Sequence, residues 1–363
     1  MTRQNDGNHR HGGRVFEAAR LLGRHWSEIV DFSANINPLG QPRGLKTAVF
    51  NDFDRTLHYP EVMAETLVAQ LAELTGLSED NILAGAGSTP HLHLLPRACG
   101  LRKPVIIGPA FAEYEGALRR AGLEPQYVLA QEEDEWLVRP ETLRQVFSLK
   151  PDAVFLAHPA NPTGRLVPED VLLQLADGCE ERGIWLVLDE AFISFTENGF
   201  SLLPQVQERK KLIVLRSLTK IFALPGLRLA FLAAGRETAK ALACLTEPWS
   251  LSSPAISAGH FCLAHQSFVR RSVKEVTRLR DLQFAALSGL DLGRVFPSES
   301  NYIFLNLRPE LDSRKLIQHL FEKGILVRDA SNFYGLKKGF LRLAVRPENE
   351  IAALCEAVRS FPA

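Results

Sequence analysis

Two side chains in this sequence could share covalent and electrostatic work: a lysine among hydroxyls, Lys220, and a carboxylate closing an apolar run, Asp189. Lys220 stands in SLTKIFALPGLRLAF (Ser217–Phe231), a polar segment between two apolar runs. Ser217, Thr219 and Lys220 are therefore expected to emerge together at a strand end, the edge where open α/β sheets hold ligands. With Pro225-Gly226 and Arg228 following, the segment could hold a phosphate while the amine acts covalently, provided its surroundings lower the amine's pKa. The blander reading is a solvated loop lysine and a surface arginine. Asp189 ends the run IWLVL in IWLVLDEAF, so it too belongs at the C-terminal end of a buried strand. A carboxylate there is costly unless paired. A pyridinium nitrogen is a suitable partner, since the carboxylate keeps it protonated and lets the ring accept electrons. A helix N-cap is the simpler alternative.

Two further segments fit the same edge. In AHPANPTGRLVPED, Asn161 precedes Pro162 and is driven into an extended conformation, while Gly164 permits a sharp turn. Its amide could hydrogen-bond a ring oxygen. In LAGAGSTPHLHLL, Gly85, Gly87, Ser88 and Thr89 precede a helical pattern, so amides and hydroxyls would face an anion at a helix N-terminus. That loop has neither the GxGxxG order of a dinucleotide site nor the GK[ST] of a P-loop.

The elements that must position these residues are legible as periodicity. Short apolar runs at Pro104–Gly108, Ala153–Ala157, Ile184–Leu188, Leu212–Leu215 and Leu229–Ala233 alternate with helical patterns such as Glu113–Ala121 and Pro168–Arg182. Runs of this length predict strands buried on both faces of a largely parallel sheet, an α/β architecture. After Pro254 the pattern changes: a long helix over Ala255–Ser288, strands at Tyr302–Leu307, Ile325–Arg328 and Phe340–Ala344, a helix at Ser313–Lys323 and a last helix from Glu348. The predicted organisation is an arm over residues 1–44 with one helix near Val15–Leu22, a large domain over 45–250 and a smaller α+β domain over 251–363.

Composition narrows the function classes. Lys plus Arg equals Asp plus Glu, at 42 each, so no net field would gather nucleic acid or an anionic membrane. The five cysteines form no CxxC pair, which argues against a disulfide framework or a zinc site and suits a cytoplasmic protein. No stretch approaches the ~20 apolar residues that span a bilayer.

Taken in order, the glycine/hydroxyl loop, an aromatic after Pro109, NPTG, DEAF, SxTK and an arginine eight residues past the lysine resemble fold-type I pyridoxal 5'-phosphate enzymes of the aspartate aminotransferase superfamily. The likeness spans nearly the whole chain. It implies a large domain with a mostly parallel seven-stranded sheet, a Schiff base between Lys220 and the cofactor, and Asp189 on the pyridine nitrogen. It places Asn161 on the ring hydroxyl, Phe111 on the ring face, and Gly87, Ser88, Thr89, Ser217, Thr219 and Arg228 around the phosphate. Tyr59, in LHYPE, resembles a tyrosine that reaches the phosphate from a second subunit, which implies a homodimer with shared sites. One position departs: Phe192 stands where many aminotransferases carry a tyrosine that bonds the ring oxygen.

Three local segments narrow the likeness. HGG (His11–Gly13), DFSANINPLG (Asp31–Gly40) and VRDASNFYGL (Val327–Leu336) resemble threonine-phosphate decarboxylases of the cobalamin pathway. By that likeness His11, Gly12, Asn35, Asn161, Arg328 and Arg342 contact O-phosphothreonine. Arg342 pairs with the α-carboxylate, while Arg328 and the arm face the phosphate. A histidinol-phosphate-type aminotransferase is the alternative, and a non-catalytic cofactor-binding protein a more remote one. Which bond at Cα breaks depends on pocket geometry that residue types do not display.

Overall fold

The computed structural model describes residues 11–362; the first ten residues of the predicted arm lie outside the described residues. In chain order the first strands are β1 (Val30–Asp31), β2 (Ile82–Gly85), β3 (Pro104–Gly108), β4 (Gln126–Leu129), β5 (Ala153–Ala157), β6 (Trp185–Asp189) and β7 (Leu212–Ser217). Then follow β8 (Ala230–Ala234), β9 (Gly293–Phe296), β10 (Tyr302–Leu307), β11 (Ile325–Leu326), β12 (Arg328–Asp329) and β13 (Phe340–Ala344).

Seven strands make the central sheet, in the order β2-β8-β7-β6-β5-β3-β4. Only β8 runs against its neighbours; the others are mutually parallel. This is the predicted α/β sheet, and side-chain alternation explains why its strands read as unbroken apolar runs. Val154, Leu156, Leu186, Leu188, Leu212 and Val214 pack into one core. Phe155, Val187, Ile213 and Leu215, one residue out of phase, pack into another on the opposite face. Two strands of this sheet carry no clear sequence signal. β2 is short and runs into the glycine loop, and β4 lies at an edge with Gln126 exposed.

The smaller sheet is antiparallel, ordered β12-β13-β10-β9. Two expectations need correction here. The single helix expected over Ala255–Ser288 is two helices, Ser253–Ala264 and Gln266–Ser288, divided at His265. The first is buried over consecutive residues Ala255–Gly259, whereas the second is amphipathic, so their faces cannot be served by one axis. Ala255, Ile256 and Cys262 join the core of the large sheet, and the second helix makes the crossing to the small one. The expected strand Ile325–Arg328 is also divided: β11 pairs with β1, and one residue later β12 pairs with β13.

The two sheets are tied by side chains from β4 and the segment after it. Trp136 is buried edge-on among Phe296, Phe304 and Phe340, with ring centroids 5.9, 5.7 and 5.6 Å away. Tyr127 of β4 stacks on Tyr334 at 3.7 Å. Among the described residues no helix is long and apolar enough to cross a membrane. Trp136→Ala is expected to cost about 3–5 kcal/mol by opening a cavity in this cluster. Guanidinium unfolding measures it, and a loss under about 1 kcal/mol would show that the ring does not tie the two layers.

Candidate active site

Register brings the polar loops to one edge of the large sheet. Gly85 of β2 and Ser217 of β7 both pair with Ala230 of β8. The loops leaving β2 and β7 therefore open beside the one entering β8, which delivers Gly87-Ser88-Thr89, Ser217-Thr219-Lys220 and Arg228 together. Asp189, at the end of β6, is in register with Ala157 and Leu215 on its two flanks, so Asn161 follows from the adjacent strand. A cavity of about 660 Å³ opens here, and every sequence-predicted site residue lines it except Tyr59.

Asp189 is buried, and burial drives its carboxyl pKa upward. Opposing this, the Tyr114 hydroxyl donates to Oδ2 at 2.7 Å and the Ala191 amide to Oδ1 at 3.0 Å, while Lys220 adds a positive charge. Lys220 sits on a single helical turn after β7. Burial first, then the neighbouring Arg228 and Arg342, bring its pKa down to about 8, with Asp189 pulling the other way. The amine is thus poised to lose its proton near neutral pH, as a nucleophilic lysine requires.

The anion cradle is built on Gly87, whose φ of +93° precedes the helix Ser88–Ala98. A Cβ at Gly87 would lie 2.5 Å from Nη2 of Arg228, so the guanidinium fits against bare backbone. Ser217 and Thr219 share a hydrogen bond of 2.6 Å between their hydroxyls. Arg228 itself is exposed at the rim.

A second group lines the opposite wall. Arg342 Nη1 donates to Asn161 Oδ1 at 2.6 Å, and Nη2 donates to the Ser33 carbonyl at 2.8 Å. With its oxygen so engaged, Asn161 presents its NH₂ to an acceptor in the cavity. Arg328 lies directly across β12–β13 from Arg342. It donates to Asn332 Oδ1 at 2.7 Å and to the Asp329 carbonyl, and its guanidinium lies 5.1 Å from the Phe333 ring centroid. Burial lowers both arginines to about 10. Asn35 is buried with neither side-chain polar atom hydrogen-bonded, an orphan that a ligand would satisfy. Gly12 and His11 close this wall. Tyr59 is 82% exposed, packed on Trp249 and remote from the cavity.

Tyr114, Ser33 and Glu113 reach the site without having been singled out by the sequence. For Tyr114 a signal exists: it lies three residues past Phe111, on the first turn of the helix Ala112–Arg120. Phe111 is half-buried at the cavity wall, its ring edge-on to Tyr114. The amine, the buried carboxylate, the flat aromatic wall and the glycine/arginine cradle fit the aldehyde, ring nitrogen, ring face and phosphate of pyridoxal 5'-phosphate. Phe192 offers the ring oxygen no hydroxyl; it packs edge-on against Tyr302 instead, 5.1 Å away.

Comparison with known proteins agrees with this geometry. The model of "Aminotransferase class I and II" matches residues 27–358. The threonine-phosphate decarboxylase of Salmonella typhimurium is 35% identical over 97% of this chain and 96% of its own. The adenosylcobalamin biosynthesis bifunctional protein CobDQ of Leptospira interrogans is 30% identical over 96% of this chain and 40% of its own. A histidinol-phosphate aminotransferase of Archaeoglobus fulgidus stands at 28%, over 92% of this chain and 93% of its own. Among solved structures, L-threonine-O-3-phosphate decarboxylase of Porphyromonas gingivalis superposes with a TM-score of 0.83 at 28% identity, covering 92% of this chain and 99% of that one.

In protein stripped of cofactor, labelling of Lys220 by trinitrobenzenesulfonate should reach its half-point near pH 8, well below the ordinary lysine value of 10.5. Arg228→Ala should move that half-point upward, because removing a nearby positive charge favours the ammonium form. A half-point near 10.5 would show that the site does not activate this amine.

Proposed function

The chain belongs to the class I and II aminotransferase family, and on that premise we propose that it decarboxylates L-threonine O-3-phosphate to (R)-1-aminopropan-2-yl phosphate in cobalamin biosynthesis. Its cofactor is pyridoxal 5'-phosphate. The observation that carries the reading is the opposition of Arg328 and Arg342. Two guanidinium groups directly across an antiparallel pair repel one another, and burial compounds the cost. A ligand bearing two anions relieves both, and O-phosphothreonine has a carboxylate and a phosphate a few bonds apart.

When bound, the cofactor supplies an aldehyde that takes up the substrate amine and a ring that receives the electron pair left when CO₂ departs. Lys220 anchors that aldehyde between turnovers, and its lowered pKa lets Nζ take up and return a proton near neutral pH. Asp189, accepting from the Tyr114 hydroxyl and the Ala191 amide, would hold the ring nitrogen's proton. Gly87, Ser88, Thr89, Ser217, Thr219 and Arg228 take the cofactor phosphate, Phe111 covers the ring, and Asn161 donates to its oxygen. On the substrate side, Arg342 takes the α-carboxylate with planar, two-point geometry. Arg328, with His11 and the Gly12 backbone, takes the phosphate, and Asn35 supplies further polar contact. Fixing both anions sets the torsion about Cα, and that torsion decides which bond lies perpendicular to the ring.

The active form in this reading is a homodimer in the cytoplasm, with Tyr59 reaching the partner's phosphate cradle. The face around Tyr59 supports it: Phe50, Phe53, Leu57 and Trp249 are all exposed there, an apolar patch of the kind that marks association.

The deciding experiment supplies holoenzyme with O-phosphothreonine and no keto acid. CO₂ should be released, and Lys220→Ala should release none. Loss of the cofactor's aldehyde absorbance on adding O-phosphothreonine alone, restored when a keto acid is added and with no CO₂, would instead identify an aminotransferase of the histidinol-phosphate kind. Arg328→Gln should raise KM for O-phosphothreonine by about tenfold or more, the scale of one lost charge-assisted contact.

A further inference from the structure

His11–Gly13 of the N-terminal arm meet the rest of the chain at two places beside the cavity, and Glu113, at the second, has no role assigned so far. At the first, Gly12 and Gly13 sit on Ser33. A Cβ at Gly12 would come within 2.2 Å of the Ser33 carbonyl oxygen, and the Gly13 amide donates to Ser33 Oγ at 2.8 Å. At the second, the imidazole of His11 crosses the cavity mouth to Glu113, with Nε2 and Oε1 2.9 Å apart. The same imidazole lies against Phe111, ring centroids 5.9 Å apart.

Glu113 is built to stay in place. It occupies the first turn of the helix Ala112–Arg120, where the helix dipole favours a carboxylate. Its side chain is 13% exposed against 50% for His11. Its other oxygen lies 3.5 Å from Arg120 Nη1 and 3.9 Å from His93 Nε2. Arg120 can only donate, so its 2.8 Å contact makes His93 Nε2 an acceptor and removes that nitrogen as a donor to the carboxylate. Glu113 thus draws on His11 and Arg120. A carboxylate only accepts, so Nε2 of His11 carries a hydrogen and Nδ1 is the nitrogen left for a ligand; in the imidazolium form both nitrogens donate, and Nδ1 can then meet a phosphoryl oxygen.

We propose that Glu113 is a positioning residue for phosphate recognition: it holds His11 across the cavity mouth against Phe111 and fixes which imidazole nitrogen meets the substrate's phosphoryl group. This rests on the function argued above and assigns that site a residue which touches neither cofactor nor substrate. Stability does not account for the pair. An ion pair with one half-exposed partner is worth little to folding, so its geometry matters chiefly for where it leaves the imidazole.

The test is a double-mutant cycle on holoenzyme, read as dissociation constants from the cofactor's absorbance change on rapid mixing, before turnover, with O-phosphothreonine and with L-threonine. His11→Ala and Glu113→Ala should each weaken O-phosphothreonine by about tenfold, and the double variant by no more than either alone. Glu113→Gln keeps an acceptor for Nε2 and should recover most of the loss. L-Threonine binding should change less than about twofold in every variant. Losses that multiply in the double variant, or that strike L-threonine equally, overturn the proposal. CO₂ release by the unaltered holoenzyme is scored separately. Binding of O-phosphothreonine without CO₂ would sink the decarboxylase reading and leave the cycle to decide Glu113. No binding at all overturns both.

Discussion

Positive charge gathers around one cavity of a chain whose formal charges cancel. Lys220, Arg228, Arg328 and Arg342 surround a cavity whose buried carboxylate is Asp189. Burying Asp189, Arg328 and Arg342 is unfavourable in isolation, and Arg328 stands directly opposite Arg342, where like charges repel. Neutral oxygens meet both guanidinium groups: Ser33 and Asn161 accept from Arg342, while Asn332 and the Asp329 carbonyl accept from Arg328. A cavity lined by these cations suits anions. Burial first, then Arg228 and Arg342, lower the lysine's pKa, and the same guanidinium groups suit phosphorylated and carboxylated ligands.

Much of the site's geometry falls on a single turn of helix. Phe111, Glu113 and Tyr114 leave the start of Ala112–Arg120 in three directions: toward the cavity face, toward His11 and toward Asp189. The strand before it, β3, is held on both sides in the parallel part of the sheet. Rigid support of this kind suits a site whose outcome depends on a torsion angle.

The strands and strand-end residues were legible because burial on both faces leaves an unmistakable apolar run, and a polar residue closing such a run has one place to go. Lys220, Asp189 and Asn161 follow from that rule. Other features escape it for physical reasons. The opposition of Arg328 and Arg342 is a matter of antiparallel register between segments fourteen residues apart, which neither segment encodes alone. Tyr114 and Glu113 look like ordinary residues of an amphipathic helix. The break at His265 separates two helices whose residues share helical periodicity but differ in how much of their circumference is buried. Strand β4, half-exposed at an edge, has too few apolar residues to stand out.

Ser33 has an outcome of its own. Its carbonyl accepts from Arg342, its hydroxyl accepts from the Gly13 amide, and Asp31 steadies that hydroxyl at 2.6 Å. The guanidinium that meets a carboxylate and the backbone that carries His11 are therefore joined through one serine. One residue thus fixes the seat of the guanidinium and the seat of the imidazole, so a change at Ser33 reaches both walls of the cavity at once.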